Sequence, residues 1–437
     1  MHEYRRPLVN TLVARMREPR RFIQMLVGPR QTGKSTAIRQ ALAQVDLPRH
    51  VALASIDSSS RDWLRAQWLQ ARNLINEGSP SALLVIDEVQ LVSQWSAVVK
   101  ELWDEDTWSG IDLRVVLTGS SSILLQRGLV EGLTGRFETI RSTHWEFAEC
   151  KDAFGYSLDD FLFFGGYPGG AALKDDEQRW LSYINDAVIE PSISKDVIAL
   201  EEVRKPALMR KLFHLGAPYS GQELSYRKIL GQLDDAGNTT TVAHYLDLLD
   251  GAGLLCGLQK HDPKLIREKA SSPRLMVYDT SLMTATYGRY RDFLLTDPER
   301  KGHLVESAVG AFLLAQSKKQ NFEVHWWREG SNEVDFVLAQ GESVTAIEVK
   351  SGRVKSLKGL TAFVNLVPHA RTWWSARVNA HSKRFSTATC RCFSVWTPRS
   401  LFEGDPSFAR GFGETNRARR GLRGRRGAEG AEPGCFT

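Results

Sequence analysis

The sequence predicts an α/β protein: a parallel-sheet domain first, then a helical and winged-helix connector, then a mixed α/β domain. Three observations carry this expectation. Over the first 150 residues, short runs rich in β-branched residues alternate with helical patterns, the layout of βαβ units. The first of those runs passes directly into a glycine-rich turn and a helix. After Ser271 the apolar period moves back toward two, with two strand-like runs, Asn332–Ala339 and Ser343–Lys350, around Gln340-Gly341-Glu342.

Taken in order, Phe22–Val27 is a buried strand and Lys34–Gln44 a helix; Leu83–Ile86 and Leu113–Leu117 are further short strands. From Leu158 to Val203 the pattern is helical, interrupted by Gly165-Gly166-Tyr167-Pro168-Gly169-Gly170, a breaker expected to act as a hinge. Lys205–Gln259 reads as three short helices, and Leu304–Lys318 as one helix. No internal repeat is present. The expected divisions are 1–150 for the parallel-sheet domain, 151–204 for a helical lid or linker and 205–270 for a winged-helix connector. A mixed α/β domain over 271–375 and a basic tail over 376–437 complete the chain.

At 437 residues, the chain has room for two to four domains of about 100–200 residues. With 42% hydrophobic and 25% charged residues it is neither wholly disordered nor a collagen or disulfide scaffold. No apolar stretch is long enough to span a bilayer, and Met1–Leu12 lacks the apolar core of a secretory signal. The five cysteines, Cys150, Cys256, Cys390, Cys392 and Cys435, form no CxxC pair, which suits a reducing compartment. A soluble, cytoplasmic protein without a membrane partner is expected. The net charge of +6 leans mildly toward a polyanion. Half of it lies in Gly411–Thr437, where six arginines face three glutamates; this segment reads either as a solvated extension or as a nucleic-acid-binding arm. A second basic cluster, Arg15, Arg17, Arg20 and Arg21, precedes the first strand.

The chemistry begins at Gly28-Pro29-Arg30-Gln31-Thr32-Gly33-Lys34-Ser35, a full match to G-x-x-x-x-G-K-[ST] between a strand and a helix. With Thr36 these residues are the expected ATP-binding loop of a P-loop NTPase. The glycines let backbone amides curl around phosphates, and the helix N-terminus favours the anion. Lys34 would reach the β- and γ-phosphates and the Ser35 hydroxyl would ligate Mg²⁺. Ala82–Glu88 is an apolar strand ending in two acids. Asp87 is expected to hold the Mg²⁺ through water and Glu88 to polarise the attacking water. A third strand runs into Thr118-Gly119-Ser120. Either Thr118 or Ser120 could contact the γ-phosphate or the water, Ser120 being preferred, unless both merely cap the next helix. Arg136, on a turn after Gly135, is either an arginine finger or sensor, or a solvated arginine.

The runs GPRQTGKS, LLVIDEVQ, VVLTGSSS, LTGRF and FGGYPGG together resemble a large prokaryotic family of AAA-type ATPases. Its members carry a C-terminal domain of unknown function, DUF4143-like, with a restriction-endonuclease-like core. The segments Tyr183–Asp196, Thr239–Leu255 and Pro273–Leu282 fit as well, so the resemblance spans Arg20 to Ser351. It implies ATP and Mg²⁺ as cofactors and an ATPase activity. Where the family has a proline-containing phrase, this chain has Ser142-Thr143-His144-Trp145-Glu146-Phe147, and beyond Arg371 the pattern departs from the family.

Glu223–Ala236 and Thr239–Ala252 read as two helices around Gly237 and Asn238. Leu254–Leu258 follows as a strand, and Lys260, Lys264, Arg267 and Lys269 as a basic wing. The second helix carries no Lys or Arg, so it either reads DNA weakly or packs the two flanking domains together. In the last domain, pairing Gln340 with Ser343 through a type II′ turn sets Asp335 opposite Glu348, with Lys350 on the same face. Glu306 on the preceding helix could join them. This set resembles the D…E-x-K core of restriction-type nucleases, two hard oxygen ligands and a cation, held either as an active site or as an inert fold. DNA is the expected macromolecular partner, through the winged helix, this domain and the tail; a second copy of the chain is the other candidate.

Overall fold

A computed structural model describes residues 4–55, 60–120, 132–197, 203–233, 238–262, 272–350 and 356–375. Five strands form an all-parallel sheet: β1 (Ile23–Gly28), β2 (Arg49–Leu53), β3 (Ala82–Asp87), β4 (Leu113–Ser120) and β5 (Phe137–Arg141), in the order β2-β3-β4-β1-β5. β4 stands between β1 and β3, so the carboxyl ends of three strands adjoin. Strand alternation sorts the core into two layers. Ile23, Met25, Leu84 and Ile86 face α3 (Arg61–Asn76) and α4 (Trp95–Ser109). Leu26, Leu83, Val85 and Val116 face α1 (Pro7–Arg17) and α2 (Lys34–Leu42).

Double coverage makes β1, β3 and β4 continuous apolar runs, which is why the sequence announces them. The edge strands β2 and β5 are absent from the expectation. β2 leaves Val51 and Leu53 exposed and β5 carries Glu138 and Arg141, so neither shows a buried-strand signature. The basic cluster is tied into this domain. Arg15 pairs with Glu18 and Glu138, Arg17 donates to the Gln44 carbonyl at 2.7 Å, and Arg20 lies 3.6 Å over the Trp103 ring.

Among the described residues, the middle of the chain between Phe147 and Gly251 is built of helices, with wide turns over Ile184–Ile189 and Ser192–Val197. Helices Pro206–Gly216, Tyr226–Gln232 and Thr239–Gly251 precede an antiparallel ribbon of β6 (Leu255–Leu258) and β7 (Arg274–Val277). Helix Thr239–Gly251 turns Val242, Tyr245, Leu246, Leu248 and Leu249 inward. Lys264, Arg267 and Lys269 of the expected wing, Gly237, and the basic tail all lie outside the described residues. The double-glycine segment ends helix Leu158–Phe164, as a breaker should, but it is not a loose hinge. A Cβ at Gly165 would lie 1.9 Å from Asp279 Oδ1, and one at Gly166 would lie 2.2 Å from the Trp145 carbonyl oxygen. Asp279 accepts the Gly166 N–H at 2.7 Å. These glycines serve close approach.

Helix Pro298–Gln320 leads into a mixed sheet of β8 (Glu323–Glu329), β9 (Asn332–Gln340), β10 (Ser343–Val349) and β11 (Arg371–Ser375), ordered β11-β10-β9-β8. Gln340 pairs with Ser343, and Gly341 takes φ +58° while Glu342 stays negative, the type II′ pattern. Among the described residues, no helix is long and apolar enough to cross a membrane.

Two glycine substitutions separate close approach from helix entropy. Gly166→Ala should destabilise the protein by about 2 kcal/mol or more through backbone overlap. Gly231→Ala, in helix Tyr226–Gln232 with nothing within 4 Å of an added Cβ, should stabilise it by about 0.5–1 kcal/mol. Urea unfolding of the two variants checks both signs.

Candidate functional site

At the carboxyl end of β1 the chain curls through Pro29–Gly33 into α2. Gln31 at φ +60° and Gly33 at φ +86° supply the left-handed turns that point successive amides inward. Gly28 must be glycine because a Cβ there would lie 2.0 Å from the Ser142 carbonyl oxygen. Lys34 is buried and folds back onto the loop, its Nζ donating to the Gly28 and Pro29 carbonyls at 2.9 Å each. One residue on, the Ser35 hydroxyl donates to Asp87 Oδ2 at 2.8 Å. Asp87 Oδ1 accepts from the Glu88 amide at 3.1 Å and from the Thr118 hydroxyl. Ser35, Asp87 and Thr118, from α2, β3 and β4, therefore meet at the carboxyl edge of the sheet.

Glu88 follows in a left-handed conformation at φ +56°, and its carboxylate accepts from the Gln90 amide. Of the two candidates on β4, it is Thr118 whose side chain reaches the acidic end of β3. Ser120 is the register partner of Gly28, and its side chain lies outside the described residues. Arg136 stands elsewhere. It precedes β5 at the amino end of the sheet, its carbonyl accepting the Ile23 amide, and Asp104 on α4 binds its guanidinium through two bonds of 2.7 and 3.0 Å. The length of β1, about 17 Å, separates that position from the loop. Within one chain, Arg136 is neither finger nor sensor.

The loop is also held from behind, by residues that local motif reading misses. Arg6, just before α1, donates to the Thr32 carbonyl at 3.1 Å and to the Thr143 carbonyl at 3.2 Å. Its guanidinium is paired bidentately with Glu149 at 2.8 and 2.9 Å. Trp145 Nε1 donates to the same Thr32 carbonyl at 3.1 Å, and the Thr32 hydroxyl meets the Ser142 hydroxyl at 3.1 Å. The one available signal was Ser142–Phe147 itself, the segment that departs from the family phrase. His144 in that segment is buried against the Tyr167 hydroxyl, 2.9 Å away. Burial, with the charges of Arg6 and Lys34 behind it, pushes its pKa down to about 3.

A second constellation lies in a cleft of about 1050 Å³ between the connector and the C-terminal sheet. Asp335 on β9, Glu348 and Lys350 at the end of β10, and Glu306 on helix Pro298–Gln320 all line it. Lys350 donates to Glu348, and Asp335 Oδ2 accepts the Val349 amide at 2.7 Å. Burial and then the charge of Asp335 push Glu306 up to about 8 and raise Glu348. Burial works against the Lys350 ammonium, but its bond to Glu348 outweighs that and raises it. Sequence reading misses Arg274, an arginine that opens a fully buried strand and reaches Glu306, Glu333 and Asp335.

The two sites differ in their fitness for a cation. Ser35 and Asp87 present a hydroxyl and a carboxylate toward one another at the phosphate loop, a donor pair that suits Mg²⁺. In the C-terminal cleft the donor types suit a hard cation too, and Glu306 Oε1 and Glu348 Oε2 are buried without a hydrogen bond. Their spacing does not suit it: among the described residues, no three His, Cys, Asp or Glu side chains come together as a metal site.

Comparison with known proteins divides the chain in three. Residues 20–151 match the model of an AAA domain. Residues 155–292 match a domain of unknown function, DUF8612, and residues 301–395 another, DUF4143. The last match runs past Ser351, where the resemblance carried by the motifs ends, and past Arg371, beyond which the pattern departs from the family. No curated protein matches the chain. Among solved structures, the chain is similar to the Aeropyrum pernix ORC1 protein in complex with DNA. The identity is 12% over 64% of this chain and 90% of that chain, with a TM-score of 0.28, too slight a likeness to carry an argument.

His144 makes the packing behind the loop sensitive to acid. Its folded pKa lies below the unfolded value, so its contribution is intact above about pH 6.5 and is lost as the pH falls toward 3. Between pH 6.5 and 5 the unfolding free energy should drop by about 2 kcal/mol on its account. His144→Gln, which keeps an amide for Tyr167, should flatten that slope in denaturant titrations at the two pH values. An unchanged slope would remove His144 from the explanation.

Proposed function

For a chain that joins an AAA domain to a DUF4143 domain, we propose ATP hydrolysis coupled to a C-terminal module directed at nucleic acid. One observation carries the ATPase half: Ser35, Asp87 and Thr118 converge beside a loop whose lysine is already folded onto it. In this reading the inward amides of Pro29–Gly33 bind the β- and γ-phosphates, and Lys34 exchanges its two carbonyl partners for phosphate oxygens. Ser35 and Asp87 would hold Mg²⁺, which when bound would neutralise charge on the phosphate oxygens. Glu88, released from Gln90, orients the attacking water and takes its proton. Thr118 fixes the carboxylate of Asp87 so that neither oxygen turns away.

The nucleic-acid half rests on the cleft, whose acidic floor is flanked by Lys228 from the connector and by Arg328 and Lys358 from the C-terminal domain. Cations on two walls suit a phosphodiester backbone. A second reading, an ATP-loaded switch with little turnover, is favoured by the Gln90 bond that holds Glu88 in place. Steady-state phosphate release with and without DNA separates the two: turnover that rises with DNA supports coupling, and retained ATP without turnover supports the switch. A second copy of the chain remains a proposed partner.

Lys34→Ala should cut phosphate release by about 10²-fold or more, since it removes the loop's charged donor to the transferring group. Turnover equal to wild type would end the ATPase reading.

Glu88→Gln preserves size and hydrogen bonding but not basicity. It should slow hydrolysis by about 10²–10⁴-fold while ATP still binds, as read by filter retention of labelled nucleotide. Lost nucleotide affinity with normal turnover would assign the proton to another group.

A further inference from the structure

The C-terminal cleft gathers acids without the arrangement that a cation needs. Glu306, Asp335 and Glu348 line one cleft, yet no three of the described acids come together as a metal site. What lies among them is a guanidinium. Arg274 Nη1 sits 3.3 Å from Glu306 Oε1 and 3.7 Å from Asp335 Oδ1, and donates to the Asp335 carbonyl at 3.1 Å. Its Nη2 binds Glu333. The side chain is only 5% exposed, and its stem runs beneath Trp326, the guanidinium carbon 5.5 Å from the ring centre. A single nitrogen thus lies within ion-pair distance of two of the carboxylates, and Lys350 pairs with the third.

Arg274 does not belong to the sheet that carries those acids. It opens β7, which pairs with β6 at the end of the connector. β7 leads to Tyr278, whose amide donates to the Leu254 carbonyl at 3.2 Å. The neighbouring Gly253 packs so closely on the phosphate loop that a Cβ would lie 2.7 Å from Pro29 Cγ. The strand holding the arginine is therefore moored next to the loop that would hold ATP. The hold on Arg274 is also incomplete: its Nε is buried without a hydrogen-bond partner. An unsatisfied buried donor makes the seated state costlier than a fully bonded one.

We propose that Arg274 is a built-in cation, seated between Glu306 and Asp335, that keeps the C-terminal site metal-free. The proposal rests on reading Glu306, Asp335 and Glu348 as metal ligands. Removing the guanidinium leaves buried acids that repel one another, and a divalent ion then gains what the arginine supplied.

Calorimetric titration of Mn²⁺ alone into the full-length chain tests this, with Asp335→Asn subtracting any binding at the phosphate loop. Wild type should show no Asp335-dependent site. Arg274→Met should acquire one, lost again in the Arg274→Met/Asp335→Asn double variant. Mn²⁺ should also raise the thermal midpoint of Arg274→Met and leave that of wild type unchanged. Asp335-dependent binding of equal strength in wild type overturns the proposal and leaves the metal-site reading standing. No binding in either folded chain overturns both. Should the methionine variant not fold, Arg274→Gln keeps a donor for the Asp335 carbonyl and is read the same way; the wild-type titration can overturn the idea without either variant.

Discussion

The buried ion pair between Arg6 and Glu149, 143 residues apart, is the constraint from which the rest of the arrangement follows. Its arginine fixes the Thr32 carbonyl, so the phosphate loop keeps its shape before any anion arrives. Its glutamate closes the first turn of helix Phe147–Phe154 by accepting the Glu146 amide at 3.0 Å. Breaking such a pair from one side leaves an uncompensated charge in the interior, at a cost of about 3–5 kcal/mol. The segment anchored this way, Ser142–Glu149, then reaches outward. Trp145 donates its amide to the Gly166 carbonyl at 3.1 Å, and Gly166 in turn is held by Asp279 just beyond β7. Glu146 takes Gln316 and Lys319 at 2.8 Å each, both on the helix that carries Glu306. One buried pair thus underlies both ends of the molecule.

Legibility in the sequence tracked how local each feature is. The phosphate loop, the acids after β3 and the hairpin joining β9 to β10 are each set within a few residues by turn chemistry and strand period, and those places could be read directly. Whether Asp335 and Glu348 share a face followed from a two-residue turn and needed no knowledge of the rest. The supports of the sites were invisible for the opposite reason. Arg6 with Glu149, and Arg274 with Glu306, join residues whose neighbourhood exists only after folding. An arginine at the head of an apolar strand is indistinguishable in sequence from a solvated strand end. Arg136 misled because a glycine-arginine turn carries no mark of which edge of a sheet it will occupy. Thr118 against Ser120 turned on strand length: β4 runs three residues past Leu117, and both candidates lie within it.

The two clefts meet the same electrostatic problem in opposite ways. At the phosphate loop a single carboxylate, Asp87, is surrounded by hydroxyls and an amide, partners that can release it without leaving a charge behind. In the C-terminal cleft three carboxylates crowd together, and burial together with the charge of Asp335 pushes Glu306 up to about 8. Such a cluster requires protons, metal or resident cations. Arg274 and Lys350 supply the last of these, and with both in place Glu306 is still pushed up to about 8, so it also favours a proton.

Coupling between the clefts needs an element with two arrangements, each biased by a different ligand; proximity alone is not enough. β7 is an element that touches both clefts. Its neighbour Gly253 rests on Pro29, its end is pinned through Asp279 to the glycines behind the loop, and its first residue is a charge inside the other cleft. A nucleotide that tightened the loop against Gly253 would reach the C-terminal acids through this strand, beside the route from Glu146 to Gln316 and Lys319 on the helix that carries Glu306. The dependence is reciprocal. A cation or phosphodiester that displaced Arg274 would push on β7 and, through it, on the wall of the phosphate loop, altering nucleotide affinity by the same factor.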